Sequence, residues 1–291
     1  MRIREPVVAG QFYPAGSDQC RTDLTELLSN AATDLEIGRR PLGGLVPHAG
    51  WVCSGGVAAR VFHALAASRS PTVLVLFGAV HRHLGRDAAL FADGRWETPV
   101  GPVEIDVRLA ERILGQTNLI VDDPYAHADE HSIEVQMPFV AHLFPGVKVV
   151  PIMVPASKTA HEVGQAVGRT LSVYHYDALV IGTTDLTHYG PGYGFTPHGV
   201  GARGNAWAKE QNDKRFIELV CAIQGEQAVH DAAEHKSACG AGATAATLGA
   251  VAMLGATRGI VLEHTTSSEV LADERSGEFT DSVGYAGILF A

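Results

Sequence analysis

The sequence has few charged residues and few cysteines. Only 19% of its 291 residues are Asp, Glu, Lys or Arg, whereas 46% are hydrophobic, and this balance argues against a disordered chain. None of the four cysteines (Cys20, Cys53, Cys221 and Cys239) forms a Cys-x-x-Cys pair. Such wide spacing is typical of reduced thiols in the cytoplasm and not of a disulfide framework.

The chain also lacks segments that would take it to a membrane or a nucleic acid. The amino terminus, residues 1–6, has no apolar stretch long enough for a signal peptide. No segment reaches the roughly 18 apolar residues of a membrane span. The net charge of −10 leaves no basic surface for phosphate groups. We therefore expect a cytoplasmic protein with neither a membrane nor a nucleic acid as partner.

Several well-known catalytic motifs are absent. The sequence contains no Gly-x-Ser-x-Gly elbow, no P-loop and no His-Glu-x-x-His zinc motif. Residues 199–204 do match Gly-x-Gly-x-x-Gly, but they follow the polar segment 195–198 and not an apolar strand. The strand that a dinucleotide site requires is missing, so a nicotinamide cofactor is not expected.

What the sequence does contain is an alternation of short apolar runs with helical patterns of ten or more residues. This spacing indicates βαβ units. Predicted strands include Leu42–Pro47, Thr72–Ala79, Val147–Val154, Ala178–Thr183 and Val283–Phe290, and predicted helices include His131–Phe144 and Asn205–Ile223. The last strand is apolar throughout, as in a strand buried on both faces. We predict one α/β domain over residues 1–291, with a central parallel or mixed sheet flanked by helices.

Four turns that follow an apolar run or open a helix carry a histidine or a cysteine. They contain His48, His81, His188 and Cys239. Open α/β sheets bind ligands outside the carboxyl ends of their strands, so the histidines are expected to converge on one cleft. Imidazole and thiolate together suit zinc, copper or iron(II). The pattern predicts a transition-metal site.

Each of these residues also has a simpler interpretation. His48, between Pro47 and Gly50, could act as a capping residue. His81 and His83 flank Arg82, and His81 is the better candidate because it lies nearer the end of the strand.

Asp185 precedes His188 by three residues, a spacing that can supply two metal ligands or a histidine base oriented by its acid. Asp185 could instead be a turn or N-cap residue. Cys239 precedes a helix whose dipole is expected to lower the pKa of the thiol, although a buried, inert cysteine is the alternative.

A fifth cluster lies in residues 129–134, where Glu130, His131 and Glu134 are close in sequence. Two carboxylates near His131 are expected to raise the pKa of its imidazole, which could then donate a proton. A solvated helix start explains the acidic residues equally well. Other histidines have only structural contexts: His63, His142, His161, His175 and His230.

The motifs, taken in order, resemble those of the Memo family, whose prokaryotic members are called AmmeMemoRadiSam system protein B. The matching segments are Ala9–Pro14, Pro47–Gly50, Gly78–His81, Glu97–Gly101, Asp129–Glu134, Asp185–Gly190 and Cys239–Gly240. The resemblance runs from about Val8 to Phe290. Ala79-Val80 departs from the usual Pro followed by Asn or Ser, and Thr184 and Thr187 replace common serines.

The resemblance implies a fold like that of the class III extradiol (LigB-like) dioxygenases. It also implies that His48, His81 and Cys239 bind a metal, iron or copper, with His188 nearby. We assign His188 and His131 to proton transfer or substrate orientation, with Asp185 and Glu134 setting their charge or tautomer.

The expected function is that of an iron- or copper-dependent redox enzyme, dioxygenase-like, acting on a small molecule; zinc is a further candidate metal. Two alternatives stay open: a peptide- or phosphopeptide-binding module built on an enzyme fold, and a metal-dependent hydrolase. The family resemblance also suggests AMMECR-like and radical SAM proteins of the same system as partners.

Overall fold

Strands and helices alternate along most of the chain in the computed structural model, which describes residues 2–32, 40–82, 85, 88–272 and 279–291. Its strands are β1 (Ile3–Arg4), β2 (Gly43–Val46), β3 (Val73–Gly78), β4 (Ala88–Leu90), β5 (Arg95–Trp96), β6 (Val103–Glu104), β7 (Ile120–Asp122), β8 (Lys148–Met153), β9 (Ala178–Thr183), β10 (His188–Tyr189), β11 (Gly259–Thr266) and β12 (Ser282–Phe290). Its helices are α1 (Ser17–Ser29), α2 (Trp51–Ser68), α3 (Val107–Gln116), α4 (Met137–Leu143), α5 (Ala160–Val173), α6 (Ala202–Trp207), α7 (Lys214–Cys221), α8 (Gly225–His235), α9 (Ala241–Met253) and α10 (Ser267–Val270). The predicted α/β class is confirmed.

The main sheet is mixed, with a parallel centre. Its strands follow the order β10-β12-β2-β9-β3-β8-β4-β7, and β11 pairs with the outer side of β12. Strands β2, β9, β3 and β8 run parallel, whereas β12 and β4 are antiparallel to their neighbours β2 and β8. Every residue of β2, β3, β9 and β12 is buried, as expected for strands covered on both faces. The carboxyl ends of β2, β3 and β9 therefore meet at one edge.

Two predicted helices have different boundaries in the structure. The segment 131–144 contains a 3-10 turn, Glu134–Gln136, and its α-helix begins only at Met137. Pro138 lies in the first turn of this helix, where a missing N–H is tolerated. The predicted helix 205–223 is interrupted by a π-helical turn, Ala208–Asp213, between α6 and α7. None of the described helices is both long and apolar enough to cross a membrane.

Helices α5 and α9 pack with their backbones in contact. A Cβ atom on Gly164 or Gly168 of α5 would overlap the carbonyl oxygen of Ala246 or Ala250 on α9. Gly249 of α9 lies equally close to the carbonyl of His161. This contact holds α9 at a fixed position beside the sheet. The segment just before α9, which contains the predicted metal ligand Cys239, is held with it.

Substituting Gly164→Ala should therefore destabilise the fold. The added methyl group meets rigid backbone, and overpacking of this kind costs about 1–3 kcal/mol. Gly115→Ala in α3 is the matched control, because nothing lies within 4 Å of its Cβ position. The control should gain about 0.5–1 kcal/mol from helix propensity. Urea unfolding of both variants checks this, and equal midpoints would contradict it.

A smaller sheet has the strand order β1-β5-β6, and its first strand contains a buried charged residue, Arg4. The guanidinium of Arg4, 5% exposed, pairs with Glu134 and donates to the carbonyls of His127 (3.1 Å) and Glu130 (2.8 Å). It also lies 4.8 Å from the centre of the Trp96 ring. His127 itself is fully buried, and its Nε2 donates to the carbonyl of Ala89 at 3.0 Å.

His127 should make the fold sensitive to acid. Burial lowers its pKa from 6.5 to about 3, so below pH 6.5 the unfolded chain binds a proton that the folded chain does not. The free energy of unfolding then falls as the pH drops from 6.5 towards 3, by up to about 1.4 kcal/mol per pH unit for this group. His127→Gln should make the fall shallower. His230→Gln, whose side chain is 82% exposed, should leave it unchanged. Urea unfolding at several pH values measures both slopes.

Candidate metal centre

Three histidine rings and one thiol lie together at the carboxyl edge of the sheet. The ring centre of His48 is 4.9 Å from that of His81 and 5.5 Å from that of His131, and the latter two are 4.6 Å apart. The Nε2 atom of His48 lies 3.1 Å from Sγ of Cys239. The loops after β2 and β3, the turn before α4 and the start of α9 thus meet in one place.

Two overlapping sets of side chains could hold a metal ion. His48, His81 and His131 each offer a ring nitrogen, and these atoms lie within 4.8 Å of one another. The same limit holds for His48, Asp185 and Cys239. His131 and Asp185 are therefore candidate ligands besides the three predicted ones. His83, the alternative to His81, lies outside the described residues.

Glu130 orients one side of this centre. Its carboxylate accepts hydrogen bonds from the backbone N–H groups of His81, His131 and Ser132, each at 2.9 Å. It also accepts one from Nδ1 of His81 at 3.0 Å. Since a carboxylate can only accept, Nδ1 of His81 carries the proton and Nε2 keeps its lone pair for a metal.

The charge of Glu130 follows from these bonds. Burial alone would raise the pKa of Glu130, but the hydrogen bonds and charge of His81 lower it to about 2. In return Glu130 outweighs the effect of burial on His81 and raises the pKa of that imidazole. The sequence places Glu130 in the right cluster but predicts the orienting role for Glu134. Nothing local separates the two acids, which are four residues apart.

Asp185 orients the other side. Its Oδ1 accepts the backbone N–H of His48 at 2.8 Å, and its carbonyl accepts the N–H of Cys239 at 3.2 Å. Next to it, the hydroxyl of Thr184 accepts the N–H of Gly240 at 2.9 Å. A Cβ on Gly240 would overlap the carbonyl of Thr183, so only glycine allows this approach. The end of β9 is thereby joined to the start of α9, which brings Cys239 to His48.

Two sequence-based expectations about pKa are wrong. Burial raises the pKa of the Cys239 thiol, and the neighbouring Asp185 carboxylate raises it further. Burial also lowers the pKa of His131, and a proton gained by His81 would lower it further. In both cases the loss of hydration outweighs the local effect, a helix dipole or a nearby acid, on which the expectation rested.

The residues present fit a metal ion. His48 is 1% exposed, and its pKa is well below the usual value because of burial and neighbouring histidines. Its Nδ1 has no hydrogen-bond partner among the residues that the structure describes. Burial likewise raises the pKa of Asp185 beside the Cys239 thiol. Asp185 is buried and Cys239 is half-buried, and two adjacent acids disfavour double ionisation, so a bound cation would compensate their charge. Imidazole, thiolate and carboxylate donors suit iron, copper or zinc.

His188 lies at the margin of the centre. Its Nδ1 is 3.1 Å from the carbonyl of Leu186, which can only accept, so Nδ1 carries the proton and Nε2 has the lone pair. The tautomer of His188 is thus fixed by the carbonyl of Leu186 and not by Asp185, to which the sequence analysis gave this role. The ring also packs edge-on against Tyr193, with 5.0 Å between ring centres. His188 is close enough to affect the pKa of His48 electrostatically.

Glu134 anchors the amino-terminal segment. Besides pairing with Arg4, its carboxylate accepts the N–H groups of Val7 and Val8 and the hydroxyl of Tyr13, at 2.9–3.0 Å. This segment carries Phe12, whose ring lies 4.8 Å from that of His131. Glu134 influences the pKa of His131 through its charge, but its hydrogen bonds are made to the amino-terminal segment.

The remaining histidines with structural contexts stay apart from the centre. The two candidate ligand sets found among the described residues do not include five histidines that the sequence analysis assigned to structural contexts, namely His63, His142, His161, His175 and His230. His161, for example, bonds through Nδ1 to the carbonyl of Ala245 at 3.3 Å.

Glu130→Gln should weaken metal binding. The neutral amide no longer holds His81 by charge, and loss of such an orienting carboxylate typically lowers affinity about 10–100-fold. Asp129→Asn, a substitution at an acid whose side chain is 69% exposed, is the matched control and should bind as the unchanged protein does. Competition for Zn²⁺ with a chromophoric chelator measures the affinities. Equal affinity of the two variants would rule out an orienting role for Glu130.

Comparison with known proteins identifies relatives of this chain and of its fold. The family model described as Memo-like protein matches residues 4–289. A MEMO1 family protein of Methanopyrus kandleri is 36% identical over 297 residues, covering 99% of this chain and 98% of its own. Another from Pyrobaculum aerophilum is 35% identical, covering 100% and 99%. A solved structure of an uncharacterized protein from Escherichia coli K12 shares the fold, with a TM-score of 0.54 and 12% identity, covering 87% of this chain and 100% of that one.

Proposed function

Because the chain belongs to the Memo-like protein family, and its candidate metal centre combines imidazole with thiol, we propose that it is a redox enzyme that uses iron or copper to oxidise a small molecule with dioxygen. The observation that carries the proposal is the distance of 3.1 Å between Nε2 of His48 and Sγ of Cys239. A soft thiolate beside imidazoles favours copper, iron or zinc over cations that prefer oxygen ligands.

His48, His81 and Cys239 would hold the metal, which when bound supplies electron transfer and the activation of dioxygen. His131 and Asp185 lie within reach as further ligands. The protein's own part is to prepare these donors. Glu130 keeps the lone pair of His81 on Nε2, and burial keeps His48 neutral, so both rings are ready to bind a cation.

His188 supplies the proton chemistry in this proposal. Its tautomer leaves Nε2 able to accept a proton from a substrate, as a general base does. Tyr193, whose ring packs against His188, is 48% exposed and forms an accessible aromatic contact for a small molecule. The predicted proton-transfer role of His131 competes with its position among the candidate ligands, and metal analysis separates the two roles.

The proposal predicts that metal content and oxygen consumption fall together. Protein purified anaerobically with reductant should contain stoichiometric iron or copper, and it should consume dioxygen when given ascorbate and catechol as a probe. His48→Ala and Cys239→Ser should lose both, because each removes a ligand. His230→Ala, at an exposed position on α8, is the control and should keep both. Elemental analysis and an oxygen electrode measure the outcome.

Two further variants assign the remaining histidines. His188→Ala should keep the metal and lose turnover by about 10²–10⁴-fold, the usual contribution of a general base. Loss of metal from His131→Ala would place His131 among the ligands.

Other outcomes would overturn the proposal. If zinc-loaded protein hydrolysed esters or amides while the iron and copper forms did not react with dioxygen, the protein would be a hydrolase. Metal-free protein that binds acidic peptides would instead indicate a binding module.

A further inference from the structure

The π-helical turn Ala208–Asp213 contains two buried polar residues, Asn212 and Asp213, whose side chains contact the loop that carries His188. Asn212 is 0% exposed and Asp213 is 1% exposed. π-helical turns are rare, and they occur often at functional sites. Neither residue belongs to the candidate ligand sets.

Asp213 and Asn212 both bond to Thr187, the residue before His188. One carboxylate oxygen of Asp213 accepts the backbone N–H of Thr187 at 3.0 Å, and the Thr187 side chain bonds to the same carboxylate. The Nδ2 atom of Asn212 donates to the Thr187 hydroxyl, also at 3.0 Å. The second oxygen of Asp213 lies 3.3 Å from Nε2 of His264 on β11.

The opposite side of this loop is held by β12. The N–H of Leu186 donates to the carbonyl of Gly284 at 2.8 Å, and the N–H of Gly284 donates to the carbonyl of Thr187 at 3.1 Å. A Cβ on Gly284 would overlap the carboxylate of Asp213, so the glycine leaves room for the acid. Residues 186 and 187 are thus fixed from two sides.

The conformation of this loop decides which ring nitrogen of neutral His188 carries the hydrogen atom. The bond from Nδ1 of His188 to the carbonyl of Leu186 closes within the loop, over two residues. It exists only while Thr187 keeps its present backbone conformation. A buried carboxylate is costly unless it is hydrogen-bonded, so Asp213 and Thr187 stabilise each other's positions.

We propose that Asp213 is a positioning residue: through Thr187 it holds the loop in the one conformation in which the Leu186 carbonyl fixes the Nδ1–H tautomer of His188. The inference rests on the proposed function for one thing, namely that His188 acts on a substrate. Its test does not need a substrate.

The tautomer can be read directly by long-range ¹H–¹⁵N NMR of histidine-labelled, metal-free protein at mildly alkaline pH. His188→Gln assigns the signal. In the unchanged protein, Nε2 of His188 should show the shift of an unprotonated nitrogen. In Asp213→Ala it should move towards the shift of a protonated nitrogen, as both tautomers become populated. Asp213→Asn should keep the original shift, since its amide oxygen can still accept the N–H of Thr187.

Asp106→Ala is the matched control, because Asp106 also accepts a backbone N–H, that of Leu109 at 2.9 Å, but far from this loop. It should lower the melting temperature without moving the His188 signal. A signal that stays in place in folded Asp213→Ala, or that moves equally in Asp106→Ala, would overturn the inference.

If Asp213→Ala does not fold, Asp213→Leu decides the question. Leucine keeps the approximate size and branching of the side chain but removes the acceptor of the Thr187 N–H, so it should shift the His188 signal in the same direction; an unchanged signal would overturn the inference. In the oxygen assay, Asp213→Ala should lose turnover about 10²-fold, the effect of a small misplacement of a catalytic group. Unchanged protein that consumes no dioxygen would contradict the proposed function and leave the tautomer result standing.

Discussion

The candidate metal centre depends on two buried carboxylates that bind backbone and not only side chains. Glu130 accepts the N–H of His81, and Asp185 accepts that of His48. Burying a carboxylate costs free energy unless donors surround it, so each acid requires the loop that it binds to keep its conformation. The two histidines are consequently held in position by the fold itself, before any ion arrives. This is the preorganisation that a metal or catalytic site needs.

The location of the candidate metal centre and most of the central strands could be predicted from the sequence, because parallel sheets bind ligands at the carboxyl ends of their strands. The apolar runs ending near His48 and His81 are read easily, and the rule that ligands bind at carboxyl ends brings them together. Cys239 could be added only together with these histidines and through the resemblance to the Memo family, because a single cysteine before a helix is equally consistent with a buried, inert thiol. The strands β3, β8 and β9 lie within a residue or two of their predicted bounds. Local patterns sufficed wherever neighbours in sequence decide the structure.

The rest depends on contacts between distant residues. Whether Glu130 or Glu134 faces the histidines is decided by Arg4, which returns from the amino terminus to pair with Glu134. The pKa values of His131 and Cys239 are set by burial, which no local pattern reveals. The role of Asp213 likewise requires a π-helical turn, and a helical pattern in the sequence does not distinguish such a turn from an α-helix.

The backbone contact between α5 and α9 limits where residues can be inserted into or deleted from this chain. Glycines and carbonyls of the two helices interlock, which fixes the rotation of α9 about its own axis. An α-helix turns by about 100° per residue. Deleting or inserting one residue within α9 would therefore swing Cys239 away from His48 or break the interlock. Gains and losses of residues during evolution are expected beyond Met253, where the helix has ended, and not inside it.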